Sequence, residues 1–195
     1  MMTTLPVPGE FDDELPLIEA IQGGDRYAFA EFVRRHDPWV RGVIFGVLGK
    51  RDRLDDVSQQ VWTTVWTRMR DLREKRRWRH WLYRLARNAA FDAGREIARR
   101  KERRLASVDN DDLAARMTCD GPPDGGLEAG EGEREVLKAI AGLPPLYREP
   151  FVLRHVSGWS YKAIADVMNM PVDSVETRLV RARRFLREAL KGQDT

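Results

Sequence analysis

Apolar residues recur at every third or fourth position along most of the chain, and no stretch alternates apolar and polar residues as a β-strand does. The clearest case spans residues 25–49, with the apolar positions Phe29, Phe32, Val33, Val40, Val43, Ile44 and Val47. Pro38 lies inside this amphipathic helix, so we expect a kink or a break there. A shorter helix precedes it and is predicted to end at Gly23-Gly24.

Two further helices complete the first half of the chain. One carries the apolar positions Leu54, Val57, Val61, Val65 and Met69, flanked by Trp62 and Trp66. The other runs from about Trp78 to Arg104, and its predicted buried positions are Leu82, Leu85, Ala89 and Ile97, with Ala86 and Ala93 beside them. Residues 13–104 are therefore expected to form a bundle of about four helices.

The character of the chain changes at residues 105–132, which are rich in Asp, Gly and Pro and poor in aromatic residues. Such a composition is typical of a flexible linker. Helical periodicity returns over residues 133–191. The sequence thus predicts an all-α protein with two small helical domains, 13–104 and 133–191, joined by an acidic linker.

The second domain carries the local signals of a helix-turn-helix. Ser160 is expected to cap a short helix, and residues 169–171 are expected to form a tight turn. Asp173 and Glu176 are predicted to form a capping box for a long final helix. Pro150 interrupts the preceding helical pattern, where we expect it to cause strain. A short helix, a tight turn and an Arg-rich second helix fit DNA binding in the major groove, although an ordinary antiparallel helix pair is the alternative.

Composition restricts the class of protein. The 195 residues allow one medium domain or two small ones, and no apolar run approaches the ~20 residues that cross a bilayer. The N-terminal residues lack the pattern of a secretory signal. One cysteine, Cys119, excludes an internal disulfide framework and fits a reducing cytoplasm.

Charge is strongly segregated along the chain. Residues 68–104 hold 15 basic and 5 acidic side chains, a net charge of +10. Residues 105–135 hold 2 basic and 9 acidic side chains, a net charge of −7. The basic block favours a polyanion as partner; the alternative, a solvated charged face, usually mixes both signs. The acidic segment could fold back on the basic block or simply aid solubility.

The stretch "RRWRHWLYRLARN", residues 76–88, interleaves five arginines with three aromatic residues. Aromatic rings stack on unpaired bases with about 1–3 kcal/mol each, while arginine binds the backbone. On a helix, Tyr83 shares a face with Arg76, Arg79 and Arg87, which we expect to point outward. Trp81 is expected to lean toward the core. This pattern favours single-stranded or flipped bases, and the alternative is that the aromatics belong to the core.

The sequence contains no recognisable motif for catalysis or metal binding. His36, His80, His155 and Cys119 have no metal-ligand spacing, and no phosphate-binding glycine loop or nucleophile elbow occurs. We therefore expect no enzyme activity, no cofactor, no metal and no small-molecule substrate. A polar stripe on the helix after residue 54 is acidic and amide-rich, which suits a protein partner.

These segments together resemble extracytoplasmic-function (ECF) sigma factors of the sigma-70 family. The stretches "GDRYAFAEFVRRHDPWVRGVIFGVLG", "DDVSQQVWTTVW" and "WLYRLARNAAFD" resemble their region 2. The stretch "GLPPLYREPFVLRHVSGWSYKAIADVMNMPVDSVETRLVRARRFLRE" resembles their region 4. The resemblance implies that the chain binds core RNA polymerase and directs it to promoters in the cytoplasm, and that an anti-sigma protein is a further partner.

The resemblance also implies roles for individual residues. The polymerase-binding set is Asp56, Gln59, Gln60 and Thr63. The set for the −10 element and its separated strand is Arg76, Arg77, Trp78, Arg79, Trp81, Tyr83, Arg84, Arg87 and Asn88. The set for the duplex −35 element is Lys162, Ser174, Glu176, Thr177, Arg178, Arg181 and Arg184. Within this last set, arginine at the start of the final helix suits guanine, since its two donors match the major-groove edge.

The chain departs from the family pattern at two of these sites. Trp81-Leu82 stands where primary sigma factors carry adjacent tryptophans, which implies weaker melting of the duplex. Glu176 stands where many members have a basic residue, which implies a different −35 preference.

Two other functions explain only part of the sequence. A stand-alone helix-turn-helix regulator accounts for residues 133–191 but leaves the polar stripe and the Arg-aromatic block unused. A nuclease would need clustered carboxylates or a metal constellation that the sequence lacks.

Overall fold

Eight α-helices and two short 3-10 turns make up the residues that the computed structural model describes, which are 14–106 and 131–191. The helices are α1 Leu15–Gln22, α2 Arg26–Leu48, α3 Leu54–Arg68, α4 Trp78–Ala106, α5 Glu131–Gly142, α6 Pro145–His155, α7 Tyr161–Met168 and α8 Val172–Lys191. The 3-10 turns are Met69–Asp71 and Lys75–Arg77. No strand occurs within these ranges, so the all-α prediction is confirmed. Most of the predicted linker, residues 107–130, lies outside them.

Helix α2 begins where its sequence provides a cap and continues through its proline. The Asp25 carboxylate accepts hydrogen bonds from the amides of Tyr27 and Ala28, at 2.8 and 3.1 Å. Pro38 does not break the helix, which is continuous from Arg26 to Leu48, while the alternative of a kink at Pro38 stays a prediction. Phe32 before the proline and Val40 after it are both fully buried. Burial on both sides thus outweighs the lost backbone hydrogen bond. Helix α6 likewise runs through Pro150.

Helices α1 to α4 form the first unit, whose core is made of aliphatic and aromatic side chains. The fully buried members include Ile18, Phe32, Val43, Ile44, Val65 and Leu82. On α4, Leu82 is buried as predicted, whereas Leu85, Ala89 and Ile97 are half-buried. The other buried positions are Trp78, Tyr83, Ala86, Ala90 and Ala93. The inward face of α4 is therefore shifted toward Ala86 and Ala93, the positions beside the predicted stripe.

Helices α5 to α8 form the second unit, and α7 and α8 are its helix-turn-helix. The Ser160 hydroxyl caps α7 by accepting from the Ala163 amide at 3.1 Å, as predicted. Asn169 ends α7 in the left-handed conformation, with φ of 51°, and the predicted turn follows.

The predicted capping box at the start of α8 is wrong. The Pro171 carbonyl accepts from the amides of Ser174 and Val175, so α8 begins at Val172 and Asp173 already lies within its first turn. The proline shifts the start of the helix ahead of the expected cap. The Asp173 carboxylate still complements the positive end of the helix dipole.

The two units pack directly against each other along α2 and α6. A Cβ added at Gly46 of α2 would lie 3.1 Å from the Cα of Glu149 in α6, so only glycine allows this approach without a shift. The rings of Trp39 and Trp159 meet across the seam, with centroids 5.1 Å apart. Since the two units share one core, their division into domains 13–104 and 133–191 stays a prediction.

Candidate nucleic-acid interface

The Arg-aromatic block lies on the 3-10 turn Lys75–Arg77 and the first three turns of α4. Its members differ widely in exposure. Exposed side chains are Arg76, Arg77, Arg84 and Asn88; half-buried ones are Arg79, Trp81 and Arg87; buried ones are Trp78 and Tyr83. The block is therefore a basic rim around a partly covered face.

Trp78 belongs to the core of the first unit. Its side chain is 2% exposed, and its ring lies 5.3 Å from that of Phe32 and 4.6 Å from that of His36. His36 in turn accepts a hydrogen bond from Trp39 Nε1 at 3.2 Å. Burial lowers the pKa of His36, although the Glu14 carboxylate 3.4 Å from its Nε2 opposes this shift. Trp78 anchors the start of α4 rather than presenting its ring to solvent.

Tyr83 is buried as well, and the expectation that it points outward is wrong for this structure. Only 3% of the residue is exposed, and its hydroxyl donates to Glu149 Oε1 at 2.5 Å. Arg87 Nε donates to the same oxygen at 2.9 Å. Burial and the Glu149 carboxylate raise the pKa of Tyr83 far above its ordinary value. Helical spacing did place Tyr83 away from the core of its own unit, but the second unit covers that side.

Arg79 lies between two tryptophans, one from each unit. Its guanidinium carbon is 5.3 Å from the ring centroid of Trp78 and 5.2 Å from that of Trp159. Burial lowers the pKa of Arg79 to about 10, which leaves it charged at neutral pH. The outward position expected for Arg79 is therefore only partly realised.

Trp81 is half-buried and packs against the core, as expected, and it also lines a groove of about 1300 Å³ along the seam. Arg84 and Arg178 line the same groove from the two units. The groove thus combines a flat ring with guanidinium groups, the two components that bind an unpaired strand.

The polar stripe of α3 lies on the surface. Asp56, Gln59, Gln60 and Thr63 are all exposed, and their spacing places them on one side of the helix. The opposite side of α3 packs into the core through Val57, Val61 and Val65. An open, rigidly supported polar face of this kind is suited to docking on another protein.

Asp37 fixes α3 relative to α2, which the sequence did not reveal. Its Oδ1 accepts from Ser58 Oγ and Trp62 Nε1, both at 2.7 Å, and its Oδ2 accepts from Arg41 Nε at 2.7 Å. Arg41 also reaches Asp55 at 2.5 Å. Burial raises the pKa of Asp37, but these hydrogen bonds outweigh it and the pKa is lowered overall. The sequence feature that could have indicated this contact is Ser58, a polar residue next to the apolar positions of α3.

The predicted −35 surface on the helix-turn-helix is open. Lys162, Glu176, Thr177, Arg181 and Arg184 are exposed, and Ser174 and Arg178 are half-buried. Val175 and Leu179 on the other side of α8 are fully buried and hold it against α6 and α7. The Thr177 hydroxyl donates to the Asp173 carbonyl at 2.8 Å, so its remaining capacity is that of an acceptor.

Sequence reasoning missed Arg148 and Glu149, the two charged residues buried at the seam. Arg148 donates to the carbonyls of Gly46 and Val47 at 2.8 Å each, and to those of Ala141 and Leu143 at 2.5 and 3.1 Å. One guanidinium therefore caps the carboxyl ends of α2 and α5 together.

Among residues 14–106 and 131–191, no group of three or more His, Cys, Asp or Glu side chains is arranged to hold a metal ion. Within the same residues, no helix combines the length and the apolar character that crossing a membrane requires.

Comparisons with known proteins agree with this geometry. The family described as sigma-70 region 2 matches residues 32–104, and the family described as sigma-70 region 4 matches residues 133–186. The ECF RNA polymerase sigma-E factor of Haemophilus influenzae is 30% identical over 178 residues, which span 90% of this chain and 94% of that protein. The ECF RNA polymerase sigma factor SigW of Bacillus subtilis is 26% identical, over 89% of this chain and 95% of that protein.

Two solved structures share the fold. CnrH in complex with the cytosolic domain of CnrY matches with a TM-score of 0.60 and 25% identity, covering 91% of this chain and 96% of that chain. The sigma factor RpoE from Bartonella quintana, in complex with the anti-sigma factor NepR, matches with a TM-score of 0.62 and 21% identity. That match covers 84% of this chain and 96% of RpoE.

Proposed function

The chain belongs to the extracytoplasmic-function sigma factors of the sigma-70 family, and we propose how its surfaces divide the work of promoter recognition. An ECF sigma factor binds core RNA polymerase and directs it to promoters. In this chain, α3 supplies the polymerase contact, α4 the contact with the −10 element, and α8 the contact with the −35 element. One observation supports this division. The polar face of α3, the Arg-aromatic face of α4 and the basic face of α8 lie on three different helices of one short chain.

The polymerase contact is the exposed α3 face made of Asp56, Gln59, Gln60 and Thr63. Carboxylate and amide groups at successive helical turns form a directional hydrogen-bonding surface. The Asp37 hydrogen bonds to Ser58 and Trp62 hold this face in a fixed orientation. A preformed surface reduces the conformational entropy that binding costs.

The −35 contact is the exposed side of α7 and α8. The start of α8 enters the major groove, where Arg178 recognises a guanine edge through two hydrogen bonds. Lys162 and the later arginines of α8 bind phosphates and fix the register. Glu176 accepts a hydrogen bond from a cytosine amino group instead of binding the backbone.

The −10 contact is the Arg-aromatic face of α4. Arg76, Arg77 and Arg84 are exposed and bind the sugar-phosphate backbone of the separated strand. Trp81, half-buried in the groove, supplies a flat ring for an unpaired base. The ring of Tyr83 is covered by the second unit in this structure and can stack on a base only where that cover is removed. Leu82 is fully buried and supports α4 from inside, so it does not enter the duplex as a second wedge.

The partners that follow are core RNA polymerase, promoter DNA and an anti-sigma protein. CnrH was solved with the cytosolic domain of a second protein, and we infer a comparable regulator for this chain. The chain works in the cytoplasm, where polymerase and promoters are found. It carries out no reaction itself, since RNA synthesis belongs to the polymerase.

A stand-alone helix-turn-helix regulator is the weaker alternative. It would use α7 and α8 in the same way but would leave the α3 face without a partner. The match to sigma-70 region 2 over residues 32–104 favours the polymerase-dependent function.

Initiation by core polymerase on a library of genomic fragments tests the proposal. We expect promoter-dependent transcripts only when the chain is added. Gln59→Ala with Gln60→Ala should weaken polymerase binding by at least about tenfold, since two or more exposed hydrogen bonds are lost. Arg68→Ala is the control, because Arg68 is exposed on the same helix but lies nine positions after Gln59, on the opposite side of α3. Tight duplex binding without any polymerase association would contradict the proposal.

A further inference from the structure

Helix α1 is not part of the three proposed surfaces, but its last residue holds the stretch of chain that leads into α4. This stretch, residues 69–77, contains both 3-10 turns and ends with Arg76 and Arg77 of the proposed −10 set. We infer that Gln22 is a positioning residue for the −10 contact, because its side-chain amide fixes the path of residues 69–77. This role rests on the proposed function of the Arg-aromatic face in strand binding.

The Gln22 amide binds residues 69–77 at two points. Its Nε2 donates to the Met69 carbonyl and to the Leu72 carbonyl, each at 3.0 Å. A side-chain amide nitrogen carries two hydrogens, so both donors are used. Gln22 is 47 positions from Met69 and 50 positions from Leu72. The two bonds are therefore tertiary contacts that join the end of α1 to the chain before α4.

These two bonds lie where the backbone leaves the helical conformation. The first 3-10 turn, Met69–Asp71, is followed by Leu72, which is extended with ψ of 97°. The second turn, Lys75–Arg77, begins three residues later, and residues 72–74 between the turns are not helical. The Leu72 carbonyl therefore needs a donor from outside its own turn, and Gln22 provides it.

Two further contacts join the same parts of the chain. Lys75 Nζ donates to Glu19 Oε1 of α1 at 2.9 Å. A Cβ added at Gly24 would lie 3.4 Å from Nη2 of Arg70, so this guanidinium lies against the turn that follows α1. Gly24 has a φ of 90°, which glycine adopts without strain. Since an ion pair in water stabilises little, the half-buried Gln22 amide is the principal tie.

Residues 69–77 combine inward side chains with exposed arginines. Met69 is fully buried, and Leu72 and Lys75 are half-buried. The exposed side chains include the arginines Arg73, Arg76 and Arg77. Phosphate contacts fix the register in which a protein reads the bases. The position of this stretch therefore decides which phosphates its arginines reach, and Gln22 acts on the strand through them without touching it.

Gln22→Met tests this role, because it keeps the length of the side chain and removes both donors. The full chain and core polymerase initiate on a promoter library that is randomised in the −10 element. We expect the preference for the favoured base at the most selective −10 position to fall by at least about fivefold, since the phosphate contacts no longer fix one register. Polymerase binding should be unchanged, because Asp37 holds the α3 face independently of Gln22. The −35 preference should be unchanged as well.

Ile18→Val is the matched control for stability. Ile18 is fully buried one helical turn before Gln22 on α1, and the substitution removes a single methylene from the core. Both variants should therefore lower the midpoint of urea unfolding, but Ile18→Val should keep the −10 preference of the unsubstituted chain. Equal losses of −10 preference in the two variants would overturn the role of Gln22, because weaker packing of α1 would then explain both.

Hydrogen exchange of the free chain gives a second readout that needs neither DNA nor polymerase. In Gln22→Met, the amides of residues 72–77 should exchange at least about tenfold faster, while the rates in α4 stay unchanged. Unchanged exchange of residues 72–77, or transcripts with an unaltered −10 preference in Gln22→Met, would overturn the role of Gln22 alone. By contrast, no promoter-dependent transcripts from the unsubstituted chain would overturn the proposed function, and the role of Gln22 with it.

Discussion

Helices α4 and α8 both contain many arginines, but the second unit covers part of the arginine-bearing face of α4, whereas the arginine-bearing face of α8 lies on the surface. The α4 stripe of Arg79, Tyr83 and Arg87 is satisfied by Trp159 and Glu149 of the other unit. The arginines of α8 make only weak contacts within their own unit, such as Arg181 to the Tyr147 hydroxyl at 3.5 Å. Arginine content alone therefore does not identify a surface that is ready for DNA. The partners that each guanidinium has within the chain decide whether the surface is available.

The largest expected effect on stability comes from removing the Arg148 side chain, which joins α6 to the carboxyl ends of α2 and α5. Arg148→Ala leaves carbonyls at the ends of α2 and α5 without their donor, which should cost about 4 kcal/mol of unfolding free energy. Urea unfolding followed by circular dichroism measures it. Arg187→Ala, an exposed arginine of α8, should leave the midpoint unchanged. Equal midpoints for the two variants would mean that Arg148 does not hold the units together.

Asp37→Ala should have the next largest effect, this time beneath an open surface. It leaves the Trp62 and Ser58 donors unpaired near the core, at a cost of about 3 kcal/mol, and should also weaken polymerase binding. Because the folded-state pKa of Asp37 lies below its ordinary value of 3.8, its contribution is complete above that value and is lost as pH falls through the folded pKa. In Asp37→Asn, the unfolding free energy should therefore decrease less between pH 4 and lower values than it does in the unsubstituted chain. Urea unfolding at a series of pH values measures this difference, and an unchanged pH dependence in the variant would exclude this role for Asp37.

Arg178→Ala should affect the open helix without affecting stability. Loss of a two-bond contact with guanine should cost about 2 kcal/mol at one base pair of the −35 element and relax selectivity there. Selection from a randomised duplex library measures this preference. Arg187→Ala, which we expect to touch only phosphate, should weaken all sequences alike. A uniform loss for Arg178→Ala would assign it to the backbone as well.

The smallest effect should come from Tyr83→Phe, which removes one hydroxyl from the covered stripe. Loss of the hydrogen bond to Glu149 should cost about 1 kcal/mol of stability. The ring that would stack on a base remains, so single-strand binding should be kept or improved. Tyr83→Ala removes the ring and should impair open-complex formation more than initial duplex binding. Equal losses for Tyr83→Ala in both assays would show that the ring is only structural.

Local features of the fold were predictable because they depend on neighbours in sequence. The Ser160 cap and the turn at Asn169 follow from residues within four positions. The same is true of the apolar stripe of α3, whose members are buried as predicted. The alternative of a break at Pro38 was wrong because burial of the residues around it, a tertiary effect, keeps α2 continuous.

The covered stripe could not be predicted, because its partners are distant in the chain. Tyr83 and Glu149 are separated by 66 positions, and Arg148 and Gly46 by 102. Helical periodicity gave the correct face for Tyr83 relative to its own unit but contains no information on what lies opposite. From the sequence alone, the buried neighbours Arg148 and Glu149 cannot be distinguished from two charged residues on the exposed surface of a helix.

Crosslinking from the three surfaces tests most directly whether α3 binds polymerase while α4 and α8 bind DNA. Photo-crosslinkers replace Gln60 on α3, Arg84 on α4 and Arg181 on α8, all of which are exposed. In an initiating complex with core polymerase, the first should crosslink to polymerase protein and the other two to promoter DNA. Crosslinks from α8 to DNA without any from α3 to polymerase, in a complex that makes transcripts, would contradict the account.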